Sequence, residues 1–169
     1  SNKEFNAAHA TPRAYVHFSE QGGKMIQFSC ADGKNANGYL IMAAKKTNNW
    51  IFVFQEWWGL NDHIKDIAGR YADEGFIAIA PDLYHGRLAK DPEEAGKLMH
   101  GLAIEDGIDT ITQVMDAATA AHGITHFGIT GYCMGGTYAL RAACEVEGIS
   151  AAAAFYGDTP PEDVLQKLT

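Results

Sequence analysis

Three short and almost entirely apolar runs restrict the fold of this chain more than any other feature. They are Trp50–Gln55, Phe76–Ala80 and His126–Thr130, and each has the length of a strand rather than of a helix. Such continuous apolar runs are typical of strands that are covered on both faces, as in parallel sheets. The segments between them have helical periodicity. This alternation predicts βαβ units and hence an α/β fold.

A fourth strand is predicted near the end of the chain. The segment Ile149–Tyr156 contains four consecutive alanines, but it follows a helix and is bounded by Gly148 and Gly157. With 169 residues, the chain is long enough for one compact domain, and no linker divides it. We therefore predict a single domain over residues 1–169, built on a mostly parallel sheet with helices on both faces.

The other predicted elements have recognisable ends. Asn61 is expected to cap a helix that ends at Gly75. A longer helical segment follows in two pieces, the second with an apolar stripe from Ile104 to Ala118 and Gly123 beyond its end. Three further elements are a strand over Lys24–Cys30, a strand near Tyr39–Ala43 after the Asp32-Gly33 turn, and a helix from about Gly135 to Glu147.

Charge and composition exclude several functions. The net charge of −8 argues against nucleic acid, since nucleic-acid affinity comes largely from Lys and Arg on phosphates. No apolar run approaches the roughly 20 residues that span a bilayer, and the polar first residues are no signal peptide. Three cysteines cannot form a disulfide framework, so we predict a cytoplasmic protein. If the Ser1-Asn2 pair is a cloning remnant, an exported protein whose signal peptide was removed is the alternative. No cofactor or metal is predicted, because the histidines lack ligand spacing.

The chemistry is expected at the carboxyl ends of the parallel strands. Directly after one of them comes Gly131-Tyr132-Cys133-Met134-Gly135, the G-x-C-x-G form of a nucleophile elbow with Cys in place of Ser. In so tight a turn the residues two before and two after the nucleophile nearly collide, which favours glycine at both places. The turn also places Cys133 at a helix N-terminus, whose partial positive charge stabilises a thiolate.

Two other interpretations of this segment remain. Residues 130–137 come close to a glycine-rich nucleotide turn, T-G-x-x-x-G-x-G, but Thr137 stands where the last glycine belongs. Such a turn normally opens its domain, whereas this one follows 130 residues. The other interpretation is a buried structural cysteine in a glycine-rich turn. The elbow is the hypothesis that the spacing favours.

Three segments together resemble the dienelactone hydrolase family of α/β-hydrolases. They are Q-E-x-x-G at Gln55–Gly59, P-D-L-Y at Pro81–Tyr84 and G-Y-C-x-G-G at Gly131–Gly136. Their order and spacing match the family, and the resemblance runs from about Phe28 to Gly157, where Ala154-Phe-Tyr-Gly157 is similar to the strand after the nucleophile helix.

The resemblance implies a cysteine acyl-enzyme mechanism acting on a small-molecule carboxylic ester or lactone. Cys133 would be the nucleophile, and Glu56 would contact the resting thiol and take part in its activation. The backbone N–H groups of Trp57 and Met134 would form the oxyanion hole. The predicted substrate-binding residues are Trp58, Tyr84, His85 and Arg87. A paired structural carboxylate is the alternative for Glu56, and solvated loop positions are the alternative for His85 and Arg87.

Two departures from the family pattern affect these expectations. No histidine follows Cys133, although the family's catalytic Asp and His belong to strands and loops after the region ending at Gly157. We therefore expect the natural polypeptide to continue beyond Thr169, because the C-terminal strands of the fold are missing. The segment Asp91–Leu98 also lacks the substrate-binding Arg of dienelactone hydrolases proper.

A non-catalytic remnant is the alternative function. It would bind a small molecule or self-associate into a homo-oligomer through the sheet edge that an early end of the fold exposes. The remaining histidines and cysteines of the region are interpreted as bystanders and inert thiols: His63, His100, His122, His126, Cys30 and Cys144.

Overall fold

A computed structural model describes residues 22–30 and 32–168 of the protein. Within these residues the strands are β1 (Lys24–Ser29), β2 (Asn35–Ile41), β3 (Trp50–Phe54), β4 (Ile77–Pro81), β5 (Phe127–Tyr132) and β6 (Ile149–Phe155). The helices are α1 (Asp62–Asp73), α2 (Pro92–Gly101), α3 (Ile104–His122), α4 (Met134–Glu145) and α5 (Glu162–Leu165). The predicted alternation of strands and helices from Trp50 onward is confirmed.

The strands form one six-stranded sheet in the order β1-β2-β4-β3-β5-β6. The four strands β4, β3, β5 and β6 run parallel to one another, whereas β1 and β2 are antiparallel to their neighbours. The predicted mostly parallel α/β sheet is therefore confirmed. Three of the parallel strands, β3, β4 and β5, coincide with the apolar runs, because these strands are covered on both faces.

The first hairpin is longer than the alternation of its residues predicted. β2 begins at Asn35 rather than near Tyr39, and Asn35 pairs with Ser29 at the end of β1. The turn between them is closed by a hydrogen bond of 3.0 Å from Gly33 N–H to the Cys30 carbonyl, with Gly33 at φ +80°. The backbone pairing of β1 with β2 continues as far as this turn, so β2 includes the polar residues Asn35 and Asn37. The hydrophobic pattern alone does not indicate this longer strand.

Two apolar clusters cover the two faces of the sheet. In β3, Phe52 and Phe54 belong to the cluster that also contains residues of α3 and α4, whereas Ile51 and Val53 belong to the cluster with α1. Successive side chains of a strand point to opposite faces, so each run of β3 and β4 supplies both clusters. The prediction of helices on both faces is confirmed.

The helix ends place α4 directly behind Cys133. Asn61 caps α1 as predicted, its side-chain oxygen accepting from Ile64 N–H at 3.2 Å. The two-piece helix is also confirmed, and Gly123 ends α3 in the left-handed region with φ +68°. α4 runs from Met134 to Glu145, so it begins one residue earlier and ends two residues earlier than predicted.

The last strand lies at an edge of the sheet. β6 pairs with β5 on one side, and residues 150–153 of β6 are exposed. Because an exposed strand edge is a template for pairing, the 169-residue chain is expected to self-associate. Sedimentation velocity at micromolar concentration should show dimers or larger species. Ala152→Lys, which places a charge on the edge strand, should shift them to monomer. A monomer in the unaltered chain would contradict this prediction.

Candidate active site

Cys133 has the backbone conformation of a nucleophile elbow. It joins β5 to α4 with φ +56° and ψ −118°, in a region that residues other than glycine rarely adopt. Two hydrogen bonds hold it there: Cys133 N–H donates to the Phe155 carbonyl at 2.9 Å, and its own carbonyl accepts from Thr137 N–H at 3.2 Å. The side chain is partly exposed. The strain is therefore maintained by β6 and by the first turn of α4.

Two glycines allow this turn, as the sequence predicted. A Cβ atom at Gly131 would overlap the carbonyl oxygen of Gly135. A Cβ atom at Gly135 would overlap the carbonyl of Phe54 and approach the Gln55 carbonyl oxygen to 2.6 Å. The backbone of the elbow therefore packs directly against the backbone at the end of β3, and this packing places Cys133 near the segment that begins at Gln55.

Hydrogen bonds connect the three sequence segments of the site. The buried Gln55 accepts from Leu83 N–H at 3.0 Å through its side-chain oxygen. The buried Asp82 accepts from Tyr84 N–H at 3.2 Å and from Gly86 N–H at 2.7 Å, which shapes the loop after β4. The Tyr84 hydroxyl donates to Met134 Sδ at 3.2 Å. The loops after β3, β4 and β5 therefore form one connected unit.

Glu56 lies beside a histidine that the sequence interpretation set aside. Its Oε1 atom is 3.8 Å from Nε2 of His63, in the first turn of α1, and its side chain is 20% exposed. Among the described residues, no hydrogen bond joins Glu56 to Cys133. The sequence pattern predicts a bystander role for His63, because the spacing of the histidines suits no metal. Its contact with Glu56 depends on how α1 begins after the turn at Gly59, where φ is +105°.

The neighbouring tryptophans lie in the same turn. The Trp57 and Trp58 rings meet edge to face with centroids 5.4 Å apart, and both residues are half-buried. The Trp58 carbonyl accepts from Ala89 N–H at 2.9 Å, which ties the turn to the loop after β4.

A cavity of about 500 Å³ opens beside the elbow. Its lining includes Cys133 and Met134, together with Met99, His100 and Leu102 from the end of α2. The His100 ring nitrogen Nδ1 lies 2.7 Å from the Gly96 carbonyl oxygen and is the donor of that pair, because a carbonyl oxygen accepts. His100 was interpreted as a bystander. The break between α2 and α3 turns the last turn of α2 toward the elbow, and residue spacing does not reveal this.

Comparison with known proteins decides the family of the chain. Residues 36–168 match the family model described as "Dienelactone hydrolase family". The chain belongs to the dienelactone hydrolase family. The resemblance on which the site residues were assigned is thereby confirmed at the level of the family.

Individual members support the assignment. The chain is 37% identical over 145 residues to a protein of Aquifex aeolicus (strain VF5) named "Putative carboxymethylenebutenolidase", and 35% identical over 145 residues to "Protein usf" of Aquifex pyrophilus. Both alignments cover 80% of this chain and 62% of the relative. The chain therefore spans about three fifths of the length of these curated relatives.

Solved structures agree with the fold. A structure named "Putative Dienelactone Hydrolase" from Klebsiella pneumoniae subsp. pneumoniae MGH 78578 superposes with a TM-score of 0.69 at 27% identity, covering 83% of this chain and 62% of that one. Est1E from Butyrivibrio proteoclasticus superposes with a TM-score of 0.57 at 21% identity, covering 78% and 49%. The second likeness concerns the fold alone.

Of the residues assigned from the dienelactone hydrolase family, the described lining of the cavity includes Cys133 and Met134 alone. Tyr84 is buried and contacts Met134, whereas His85 and Arg87 lie exposed on the loop after β4, with His85 at φ +52°. Neither His85 nor Arg87 is among the described residues that line the cavity with Cys133. Within residues 22–30 and 32–168, no cluster of three His, Cys, Asp or Glu side chains has the arrangement of a metal site. In the same residues, no helix is long and apolar enough to cross a bilayer.

Buried tyrosines around the site predict that the protein is destabilised by alkali. Burial, followed by the negative charge of a Cys133 thiolate, raises the pKa of Tyr84 to about 12. Burial, followed by a hydrogen bond with Tyr71, raises the pKa of Tyr132 to about 12. The unfolded chain releases these protons near pH 10, whereas the folded protein retains them until about pH 12. The contribution of these tyrosines to the free energy of unfolding is therefore fully present below about pH 10, and it is lost as the pH rises toward 12.

Urea unfolding measured at increasing pH should show this loss. The part due to Tyr84 should reach about 2 kcal/mol. Tyr84→Phe should reduce the pH dependence of the unfolding free energy. The direct cost of this substitution to stability is measured separately at about pH 8, where the tyrosines are protonated in both states. An unfolding free energy that is flat between about pH 9 and 11 in the unaltered protein would contradict the prediction.

Proposed function

We propose that this chain carries the nucleophile half of a thiol hydrolase that acts on carboxylic esters or lactones. The single observation that carries the proposal is the elbow: a partly exposed cysteine with φ +56°, at the start of α4 and beside a cavity of about 500 Å³. A structural cysteine has no need of this strained conformation. Strain of this kind is concentrated at functional sites, where the surrounding structure maintains it.

The proposed reaction begins with attack of the Cys133 thiolate on the carbonyl carbon of the ester. The carbonyl π-electron pair moves to oxygen, and the resulting oxyanion is bound by the N–H groups of Met134 and Trp57. Met134 is the first residue of α4, so its N–H has no acceptor within the helix. When the tetrahedral intermediate collapses, the alkoxide leaves and takes up a proton from solvent or a nearby acid. Water then hydrolyses the thioester.

Glu56 is proposed to control when Cys133 ionises. A carboxylate beside the thiol favours its protonated form, because a second negative charge nearby is unfavourable. Because no hydrogen bond joins Glu56 to Cys133 in the described part of the chain, their contact is assigned to a separate resting state, from which substrate would displace Glu56. The position of His63, with Nε2 3.8 Å from Glu56 Oε1, supports this proposal by offering the displaced carboxylate a partner.

The substrate-binding assignments also remain proposals. Trp58 and Tyr84 belong to the connected loops that hold the elbow, so a change in either is expected to alter both substrate affinity and stability. His85 and Arg87 are proposed to act from the exposed loop after β4, as contacts with the outer part of a substrate.

Acylation without efficient deacylation is the expected behaviour of the 169-residue chain. No histidine follows Cys133 in the sequence, and an acyl-thiol needs a base to activate water for its removal. Treatment with a 4-nitrophenyl ester should give one acyl group per chain, released quickly at first and turned over slowly. Peptide mass spectrometry should locate the acyl group on Cys133.

Variants at the other two thiols provide the control. Cys30→Ser and Cys144→Ala should leave the initial acylation unchanged, because Cys144 is buried on the far part of α4 and Cys30 lies at the end of β1. Acylation spread equally over the three thiols, or none at all, would overturn the proposal. Absence of acylation would favour the alternative of a non-catalytic protein that self-associates through the exposed edge of β6.

A further inference from the structure

We propose that the cavity beside Cys133 takes an ester or lactone whose acyl part is uncharged and apolar, and that it disfavours substrates bearing a carboxylate. This inference rests on the proposed function, because it names the substrate class of the same site. The proposed substrate differs from an anionic one, which would be bound by the arginine that α2 of this chain lacks.

The apolar walls of the cavity come from the end of α2 and the beginning of α3. Met99, Leu102 and Ile104 line it and are only partly buried by the protein, so part of each side chain remains available to a ligand. Met134 lines the side next to the nucleophile. Flexible thioether and branched aliphatic side chains favour contact with an apolar acyl chain over a carboxylate.

The charges around the cavity are negative. Asp158 is among the lining residues, and its N–H is bound to Thr137 Oγ1 at 2.8 Å. The first turn of α3 adds the exposed Glu105 and Asp106. The lining also includes the buried Tyr138, whose pKa is raised by burial, then by the charge of ionised Tyr84, and then by the carboxylates of Asp106 and Glu105. The negative potential therefore extends to the wall of the cavity.

No described residue lining the cavity is a lysine or an arginine, and His100 is the one basic side chain among them. Lys97 on α2 is paired with Glu93, with Nζ 2.9 Å from Oε1. Arg87 lies on the exposed loop after β4 and is not part of the lining. A substrate carboxylate would therefore find acidic neighbours and no fixed cation.

Alkylation of Cys133 by two reagents of similar size tests the inference without requiring hydrolysis. Iodoacetamide is neutral and iodoacetate is anionic. In a Cys30→Ser, Cys144→Ala background only Cys133 reacts, and the same protein unfolded in urea gives the reference ratio of the two rates. The folded protein should favour iodoacetamide by about threefold or more over that reference, and added salt should reduce the preference.

Two variants identify the cause. Asp106→Asn combined with Asp158→Asn should bring the ratio close to the reference, whereas Met99→Arg should invert it in favour of iodoacetate. A folded ratio equal to the reference, or one that Met99→Arg leaves unchanged, would overturn the inference. Failure of Cys133 to react with either reagent would also overturn it, because the cavity would then admit no ligand.

The same variants separate this inference from the proposed function. If esters fail to acylate Cys133 while the alkylation ratio behaves as expected, the proposed hydrolase function fails and the charge preference of the cavity stands. If esters acylate Cys133 but neutral and carboxylate-bearing esters of equal length react equally, the function stands and the substrate class is wrong.

Discussion

Gly135→Ala is expected to destabilise the protein by about 3 kcal/mol or more, or to prevent folding. The added Cβ would overlap the Phe54 carbonyl, and both atoms belong to buried backbone that cannot move independently. Any relief requires α4 to move away from the end of β3, which would also release the strained conformation of Cys133. The loss should be visible as a lower midpoint in urea unfolding and as a change in near-ultraviolet circular dichroism.

Gly96→Ala is the matched control for this substitution. Gly96 lies inside α2, and a Cβ there would meet no atom within 4 Å. Alanine inside a helix is favoured over glycine by about 0.5–1 kcal/mol, so this variant should be slightly more stable than the unaltered protein. Equal midpoints for Gly135→Ala and the unaltered protein would show that the elbow is not packed as described.

Cys133→Ala is expected to reduce turnover of an activated ester by about a hundredfold or more, to the uncatalysed background. Since no histidine follows Cys133, the starting rate is itself expected to be low. Cys133→Ser should be nearly as inactive, because a serine hydroxyl needs a base to become a nucleophile whereas a thiol is partly ionised near neutral pH. Rates of 4-nitrophenol release, with Cys144→Ala as the active control, measure both effects.

A higher rate than expected would indicate a base within the chain. If the unaltered protein hydrolyses esters as fast as ordinary thiol hydrolases and Cys133→Ala abolishes that activity, His100 is the first residue to test. It lines the same cavity, and in the neutral ring Nε2 is the nitrogen that can accept a proton, because Nδ1 donates to the Gly96 carbonyl. His100→Gln would then reduce the rate. Retention of activity in Cys133→Ala would remove the elbow from the mechanism altogether.

The sequence predicted the sheet, the order of its helices and the elbow for physical reasons that act over short distances. The apolar runs at Phe52–Phe54 and Ile77–Ala80 could be interpreted because strands covered on both faces leave no polar positions. Gly131 and Gly135 could be interpreted because the close approach that they allow is local to one turn.

The partners of individual side chains could not be predicted in the same way. The contact of Glu56 with His63 depends on the direction in which α1 leaves the turn after β3. The place of His100 in the cavity depends on the break between α2 and α3. Both are set by packing between elements distant in sequence, for which neither residue spacing nor helix propensity contains a signal.

The two faces of the sheet also differ in the size of the side chains they bury. β3 and β4 place Phe52, Phe54, Ile77 and Ile79 toward α3 and α4, and the smaller Ile51, Val53, Ala78 and Ala80 toward α1. A shift of one residue in the pairing register of either strand would exchange the two faces. Because both faces are apolar, every apolar side chain would stay buried, and the distribution of polar residues does not disfavour the shift. The shift would instead place the larger side chains beneath α1, where the smaller ones now pack, and leave voids beneath α3 and α4. The pairing of these strands is therefore selected by volume.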